Sequence, residues 1–250
     1  MIPGAENTRP PRANRPARSG RLSGRRVLVT GASRGIGAAV ARACAEAGAG
    51  VALTARSGTA LRELASQLRA LGGKAEAFPA DVVDGPSVRR TVAAARDFLG
   101  GLDSAVINQG LNVITPIELM RDAEWERVVG TNLTGSFRIA RAVVPLLELP
   151  GAVVFVSSVS ALPGHRKFPG FAAYCASKRG VLGLAEVMAV EMEERSVRVY
   201  SVCPRGVDTA MFRQTFPGLA ADLTPAQVAS RIVDLLDPLT APPSGAVVEL

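Results

Sequence analysis

Apolar positions along the chain gather into short, mostly unbroken runs at 27–30, 51–55, 75–78, 104–107, 153–157, 197–202 and 246–248. Unbroken rather than alternating runs are what strands need when both faces of their sheet are covered. Between the runs lie stretches with helical spacing, at about 35–48, 58–71, 85–99, 122–148, 172–194 and 225–236. Strand and helix alternating this regularly predict a single α/β domain, a Rossmann-like doubly wound parallel sheet of about seven strands with helices on both faces. The segment 203–224 contains Pro204, Gly206, Pro217 and Gly218 and fits neither period. It is expected to be an excursion over the sheet edge, a natural substrate lid.

Charge separates the N-terminus from the rest. The net charge is +7 over 250 residues, and residues 1–26 carry seven arginines against Glu6, which is +6 of that total. The remaining chain is nearly neutral, so no folded basic face is expected to grip nucleic acid. Residues 1–23 alternate Arg with Pro, Ala, Asn and Ser and read as a disordered basic tail, with the domain spanning 24–250. An arginine-rich targeting peptide is the alternative, opposed by Pro3, Pro10, Pro11 and Pro16. No run approaches the length of a membrane span. Cys44, Cys175 and Cys203 are scattered and odd in number, which suits a reducing, cytoplasmic setting. With His165 the chain's one histidine, no metal site is expected.

The first strand runs into Thr30-Gly31-Ala32-Ser33-Arg34-Gly35-Ile36-Gly37, followed by a helix. Strand, glycine-rich turn and helix in this order form a pyrophosphate cradle, with free N–H groups and the helix dipole facing the anion. Gly31 suits the tight turn, Gly35 a close approach of phosphate to the main chain, and Gly37 close packing of helix on strand. After the second strand a dinucleotide fold commonly places an acid for the ribose hydroxyls. Arg56 and Ser57 stand there instead, and Arg34 lies in the turn itself. Two guanidinium groups without a carboxylate favour a 2′-phosphate, hence NADP over NAD. Asp81, before Val82, is placed either to accept from the adenine amino group or to cap a helix.

Ser158 follows the fifth strand, and Tyr174-Cys175-Ala176-Ser177-Lys178 comes sixteen residues later. Tyr174 and Lys178, four apart, share a helix face. An ammonium beside a phenol is expected to lower its pKa from about 10 and yield an acid–base pair for a carbonyl or alcohol. Ser158 is the candidate for holding the substrate oxygen and Asn132 for holding a water in the proton path. Phe168, Phe171, Met211, Phe212 and Phe216 suggest apolar pocket walls, though a packed lid core would read the same.

These motifs, with Asn108-Gln109-Gly110 and Pro204-Arg205-Gly206-Val207-Asp208-Thr209, resemble the short-chain dehydrogenase/reductase family over about residues 24–249. The resemblance implies an NADP-dependent oxidoreductase acting on a small-molecule carbonyl or alcohol, with the tetrad Asn132, Ser158, Tyr174 and Lys178. Cofactor contacts are then expected from Gly31, Ser33, Arg34, Gly35, Ile36, Gly37, Arg56, Asp81, Val82, Asn108, Gly110, Tyr174, Lys178, Pro204, Val207 and Thr209. It also implies a homodimer or homotetramer paired through the helices at about 122–148 and 172–194. Two departures stand out. Gln109 replaces an alanine common in the family and is expected near the cofactor ribose. Arg205 replaces a common glycine, and its destinations are the cofactor phosphates, an acidic substrate or solvent. A sensing protein that binds a dinucleotide without catalysis is the competing reading, and an intact tetrad argues against it.

Overall fold

The computed structural model describes residues 20–250. Seven strands form one sheet in the order β3-β2-β1-β4-β5-β6-β7, with every pairing parallel. The strands are β1 (Arg26–Thr30), β2 (Gly50–Thr54), β3 (Ala75–Ala77), β4 (Ser104–Ile107), β5 (Gly151–Val156), β6 (Val197–Cys203) and β7 (Val247–Glu249). Each predicted run is a strand, shifted by at most two residues at an end. The helices are α1 (Gly35–Glu46), α2 (Gly58–Ala70), α3 (Gly85–Leu99), α4 (Asp122–Val129), α5 (Gly135–Val143), α6 (Ala172–Glu191), α7 (Ala210–Thr215) and α8 (Pro225–Leu236).

The unbroken apolar runs serve two cores at once. Val27 and Val29 of β1 join the layer containing Val40, Leu61 and Ile232 from α1, α2 and α8. Leu28, between them, faces the opposite layer with Val88, Ile139 and Val181 from α3, α5 and α6. Neither face can be polar, so period-two alternation is absent. Sequence order reverses between β1 and β4, which opens a crevice at the carboxyl ends of those strands, where such sheets bind ligands.

Three features differ from the sequence reading. The helix expected over 122–148 is broken: a π turn, Gly130–Thr134, separates α4 from α5, and a 3₁₀ turn, Val144–Leu146, follows. Hydrophobic period alone does not distinguish an α turn from one widened by a residue. The lid segment contains a short helix, α7, capped by Thr209 Oγ1, which accepts from Phe212 N at 3.2 Å. Finally, the domain begins before residue 24. Leu22 is fully buried in the core, and Leu22 N donates to Ala47 O at 2.9 Å. Arg21 reaches Asp234 at 2.8 Å and Asp237 at 3.0 Å near the end of α8. Residues 20–23 therefore belong to the fold because one leucine finds a core site and one arginine finds acids distant in sequence. The rest of the predicted tail lies outside the described residues.

Candidate active site

A cleft of about 1200 Å³ runs along the carboxyl ends of the strands. The turn between β1 and α1 forms one end. Gly31 has φ +62, and a Cβ there would lie 2.9 Å from both Asn108 Nδ2 and Gln109 Cα. At Gly37 a Cβ would lie 2.3 Å from Gly31 O. Side chains are thus excluded where the turn folds back on itself. Among the described residues no side chain caps α1, and its first turn has no acidic residue, so its leading N–H groups remain for an anion. Gly31, Ser33, Arg34, Gly35 and Ile36 line the cleft; Gly37 lies beneath, as a packing position. Asn108 braces the turn, its Nδ2 within 3.3 Å of the carbonyls of Thr30 and Gly31.

Arg34, Arg56 and Ser57 line the next part of the cleft. No ion pair engages either arginine among the described residues. Arg42 lines the same region and escaped the sequence reading. The signal was available: Arg42 lies seven residues beyond Gly35, about two helical turns along α1 from the phosphate turn. Asp81 also lines the cleft and accepts from Val83 N at 3.1 Å. The helix cap is provided not by Asp81 but by Asp84, which accepts from Ser87 N at 3.1 Å.

Ser158, Tyr174 and Lys178 converge at the other end. Ser158 is extended, and its Oγ accepts from Ser160 N at 3.1 Å. Ser157 beside it donates to the main-chain oxygen of Lys178 at 2.9 Å, tying β5 to α6. The Lys178 ammonium donates to Val156 O at 2.8 Å and lies 6.0 Å from the centre of the Tyr174 ring. The expected depression of the Tyr174 pKa by Lys178 is not found. Burial raises the phenol, opposed only in part by its hydrogen bond with Ser158. Burial also lowers Lys178 to about 8. Removing water disfavours both charged forms, and this outweighs their mutual attraction at such a separation.

Asn132 sits in the π turn, fully buried, and does not line the cleft. Its Oδ1 accepts from Leu111 N, and its Nδ2 donates to Leu111 O, both at 2.9 Å, and to Ser177 Oγ at 3.0 Å. Both amide protons are therefore used, leaving acceptor lone pairs alone for a water. A Cβ on Gly110 would lie 3.3 Å from Lys178 Nζ and 3.6 Å from Asn132 Oδ1, so those two groups face each other past that glycine.

Four phenyl rings wall the cleft beside Tyr174. Phe171 meets Tyr174 edge-on with centroids 5.9 Å apart and stacks on Phe216 at 5.7 Å. Phe168 and Phe212 lie 5.0 and 5.3 Å from Phe216. Pro204, Val207 and Thr209 line the base of the lid. At the rim Arg205 is solvent-exposed and pairs with Glu249 of β7 at 2.9 Å. The same carboxylate lies 3.2 Å from His165 Nε2. Gln109 borders the cleft, but its side chain is largely buried and its amide lies between Thr30 at the end of β1 and Ser136 of α5.

A sequence profile described as short chain dehydrogenase matches residues 25–220. The chain belongs to this family. It is 36% identical over 194 residues to a 3β-hydroxysteroid dehydrogenase of Mediterraneibacter gnavus, covering 77% of this chain and 69% of that one. It is 33% identical over 193 residues to a 3-oxoacyl-[acyl-carrier-protein] reductase of Thermotoga maritima, covering 76% and 77%. Among solved structures, a short-chain dehydrogenase from Burkholderia cenocepacia in complex with NADP superposes with a TM-score of 0.85 at 27% identity, covering 92% of this chain and 97% of that one. This short-chain dehydrogenase is therefore an oxidoreductase with a Rossmann-like fold. Among its described residues no helix is long and apolar enough to cross a membrane.

Proposed function

We propose that the protein is an NADPH-dependent reductase of a small-molecule ketone with an apolar body, working in reverse on the corresponding alcohol. The observation that carries the reading is the joining of two chemistries in one cleft: Arg34 and Arg56 beside the phosphate turn at one end, and Ser158, Tyr174 and Lys178 at the other. The uncapped α1 terminus and the side-chain-free turn suit a pyrophosphate. The guanidinium groups of Arg34 and Arg56 suit a 2′-phosphate. When bound, the nicotinamide supplies or accepts the hydride. Tyr174 gives its proton to the carbonyl oxygen as that oxygen gains charge, and takes it back in the reverse direction. Ser158 Oγ holds the same oxygen. Lys178, protonated below about pH 8, supports the phenolate left behind. The phenyl wall receives the apolar part of the substrate.

Two copies paired through α5 and α6 accord with the exposed apolar side chains there, Phe137, Val187 and Val190.

Tyr174→Phe should keep NADPH affinity and lose turnover by roughly 10²–10⁴-fold. Turnover matching wild type removes Tyr174 as the acid. Arg56→Asp should raise the Kd for NADPH far more than that for NADH, and equal effects remove the 2′-phosphate assignment.

A further inference from the structure

Gln109, the residue that departs from the family at the end of β4, sits in a chain of hydrogen bonds whose polarity is fixed. Ser136 Oγ lies 2.6 Å from the main-chain oxygen of Asn132, to which only a donor can bond. The single hydroxyl proton of Ser136 is spent there. The group facing Ser136 from the other side must then donate, so Gln109 presents its Nε2, at 3.0 Å. Its Oε1 is left facing Thr30 Oγ1, which donates to it at 2.5 Å. Thr30 Oγ1 in turn accepts from Asn108 N at 2.9 Å. Thr30 immediately precedes Gly31 of the phosphate turn, and Asn132 occupies the π turn.

The same loop grips Asn132 a second time, because Leu111, two residues after Gln109, binds its side-chain amide through both N and O. Asn132 is thus held by its main chain through Gln109 and Ser136, and by its side chain through Leu111. A π turn is a widened, uncommon helical turn that persists when neighbours fix it. The Ser136 end requires a donor, and the Thr30 end favours an acceptor, because the Thr30 hydroxyl lies closer to Gln109 Oε1, at 2.5 Å, than to its other acceptor, Val106 O, at 3.2 Å. A neutral amide meets both needs; an aliphatic side chain or an ionised carboxylate does not.

We propose that Gln109 is a positioning residue for proton transfer. It locks the phosphate turn to the Asn132 turn and commits the Ser136 proton to the Asn132 carbonyl, which fixes the turn that carries Asn132 Oδ1 opposite Lys178. The claim rests on the reductase reading for its kinetic consequence, but the clasp itself is a property of the free protein.

Three variants test it: Gln109→Leu, Gln109→Glu and Ser136→Ala. The readouts are the pH profile of kcat, the Kd for NADPH, and hydrogen exchange of peptides spanning 130–136 in the protein without nucleotide. Gln109→Leu should lower kcat by roughly tenfold at every pH, a loss on the scale of one or two net hydrogen bonds. Its NADPH Kd should stay within about twofold, since both ends of the amide are spent on Thr30 and Ser136, and its exchange over 130–136 should rise by about tenfold. The double variant with Ser136→Ala should lose no more than the worse single variant. Gln109→Glu provides the decisive comparison. Burial raises the pKa of the new carboxyl. While protonated it donates to Ser136 as the amide does, so kcat near pH 6 should approach wild type. On ionisation it accepts from Ser136, draws the proton off the Asn132 carbonyl, and kcat should fall about tenfold in a limb that wild type and Gln109→Leu lack. The proposal is overturned if Gln109→Leu keeps wild-type kcat and exchange. It is overturned equally if Gln109→Glu follows either wild type or Gln109→Leu at every pH. If wild-type protein turned over no carbonyl or alcohol, the reductase reading would fail, and exchange in the free protein would still decide whether the clasp exists.

Discussion

Lys178 should make the protein less stable at neutral pH than at alkaline pH. Its side chain is 4% exposed, and among the described residues its ammonium has one hydrogen-bond partner, the Val156 carbonyl at 2.8 Å. Burial lowers its pKa from 10.5 to about 8. The unfolded chain therefore binds more protons than the folded one between those values, and stability rises with pH across that window. Below about pH 8 both states carry the charge and the whole cost is present; above about pH 10.5 both are neutral and it is gone. At about 1.4 kcal/mol per pH unit the cost is on the order of 3 kcal/mol. Tyr174 and Cys44 act in the opposite sense, because burial raises both and the unfolded state ionises first. The comparison must therefore be with Lys178→Met, which keeps the length of the side chain and leaves those groups in place. The Met variant loses the bond to Val156 O, a cost that does not vary with pH. Urea unfolding of both proteins at several pH values from 7 to 10.5 gives the difference. Relative to the Met variant, wild type should gain on the order of 3 kcal/mol over that range. Parallel stability curves would show that burial does not hold the lysine pKa down, and the account of site electrostatics would fail with it.

Two further perturbations test how the domain supports the site. Leu22→Ala removes a fully buried side chain from the segment before β1 and should cost about 3 kcal/mol in urea unfolding, whereas deleting residues 1–19 should leave turnover unchanged. A cost below about 0.5 kcal/mol would place the leucine outside the core. Gly37→Ala forces a methyl to within 2.3 Å of Gly31 O, so the phosphate turn must shift. Nucleotide affinity measured by fluorescence titration should fall by roughly 100-fold, in line with an overpacking cost of about 1–3 kcal/mol, and an unchanged Kd would refute the cradle.

The parts of the fold visible in the sequence are those set by local rules. A strand covered on both faces must be apolar throughout, and the seven runs follow from that. Gly31 and Gly37 announce the cradle because no side chain fits at either position. Tyr174 and Lys178 reach the same cleft because four residues make about one helical turn. What the sequence hid depends on partners far away along the chain. Leu22 looked like one apolar residue in a basic tail until Ala47 and the core beneath α8 came into place. Arg205 looked like a free cation, but Glu249, 44 residues later, claims it. The electrostatics of the proton-transfer pair were misread for a related reason: spacing puts a phenol and an ammonium on one face but carries no measure of how much water is lost around them.

Gln109 shows how a departure from a family pattern acquires meaning only through its surroundings. As a lone letter it is a polar residue in place of a small one, and the nearest obvious destination is the cofactor. In the fold its amide lies between Thr30 and Ser136, and both ends are satisfied. A buried amide lacking either partner would carry a cost of about 1–3 kcal/mol, so the residue and its two hydroxyl partners stand or fall together. Thr30 and Ser136 are 106 positions apart; Thr30 opens the glycine-rich motif and Ser136 belongs to none, and neither points to Gln109 by spacing. The break between α4 and α5 has the same origin. The buried positions across it are Asn132, Gly135 and Ser136, which carry no hydrophobic signal of a break, while the Leu111 backbone and the Ser136 hydroxyl hold Asn132 in a widened turn. The position of Asn132 relative to Lys178 is therefore set by contacts from the β4 loop as well as by its own helix. For that reason the effect of Gln109 should be sought in turnover, and for Gln109→Glu in its pH dependence, rather than in nucleotide affinity.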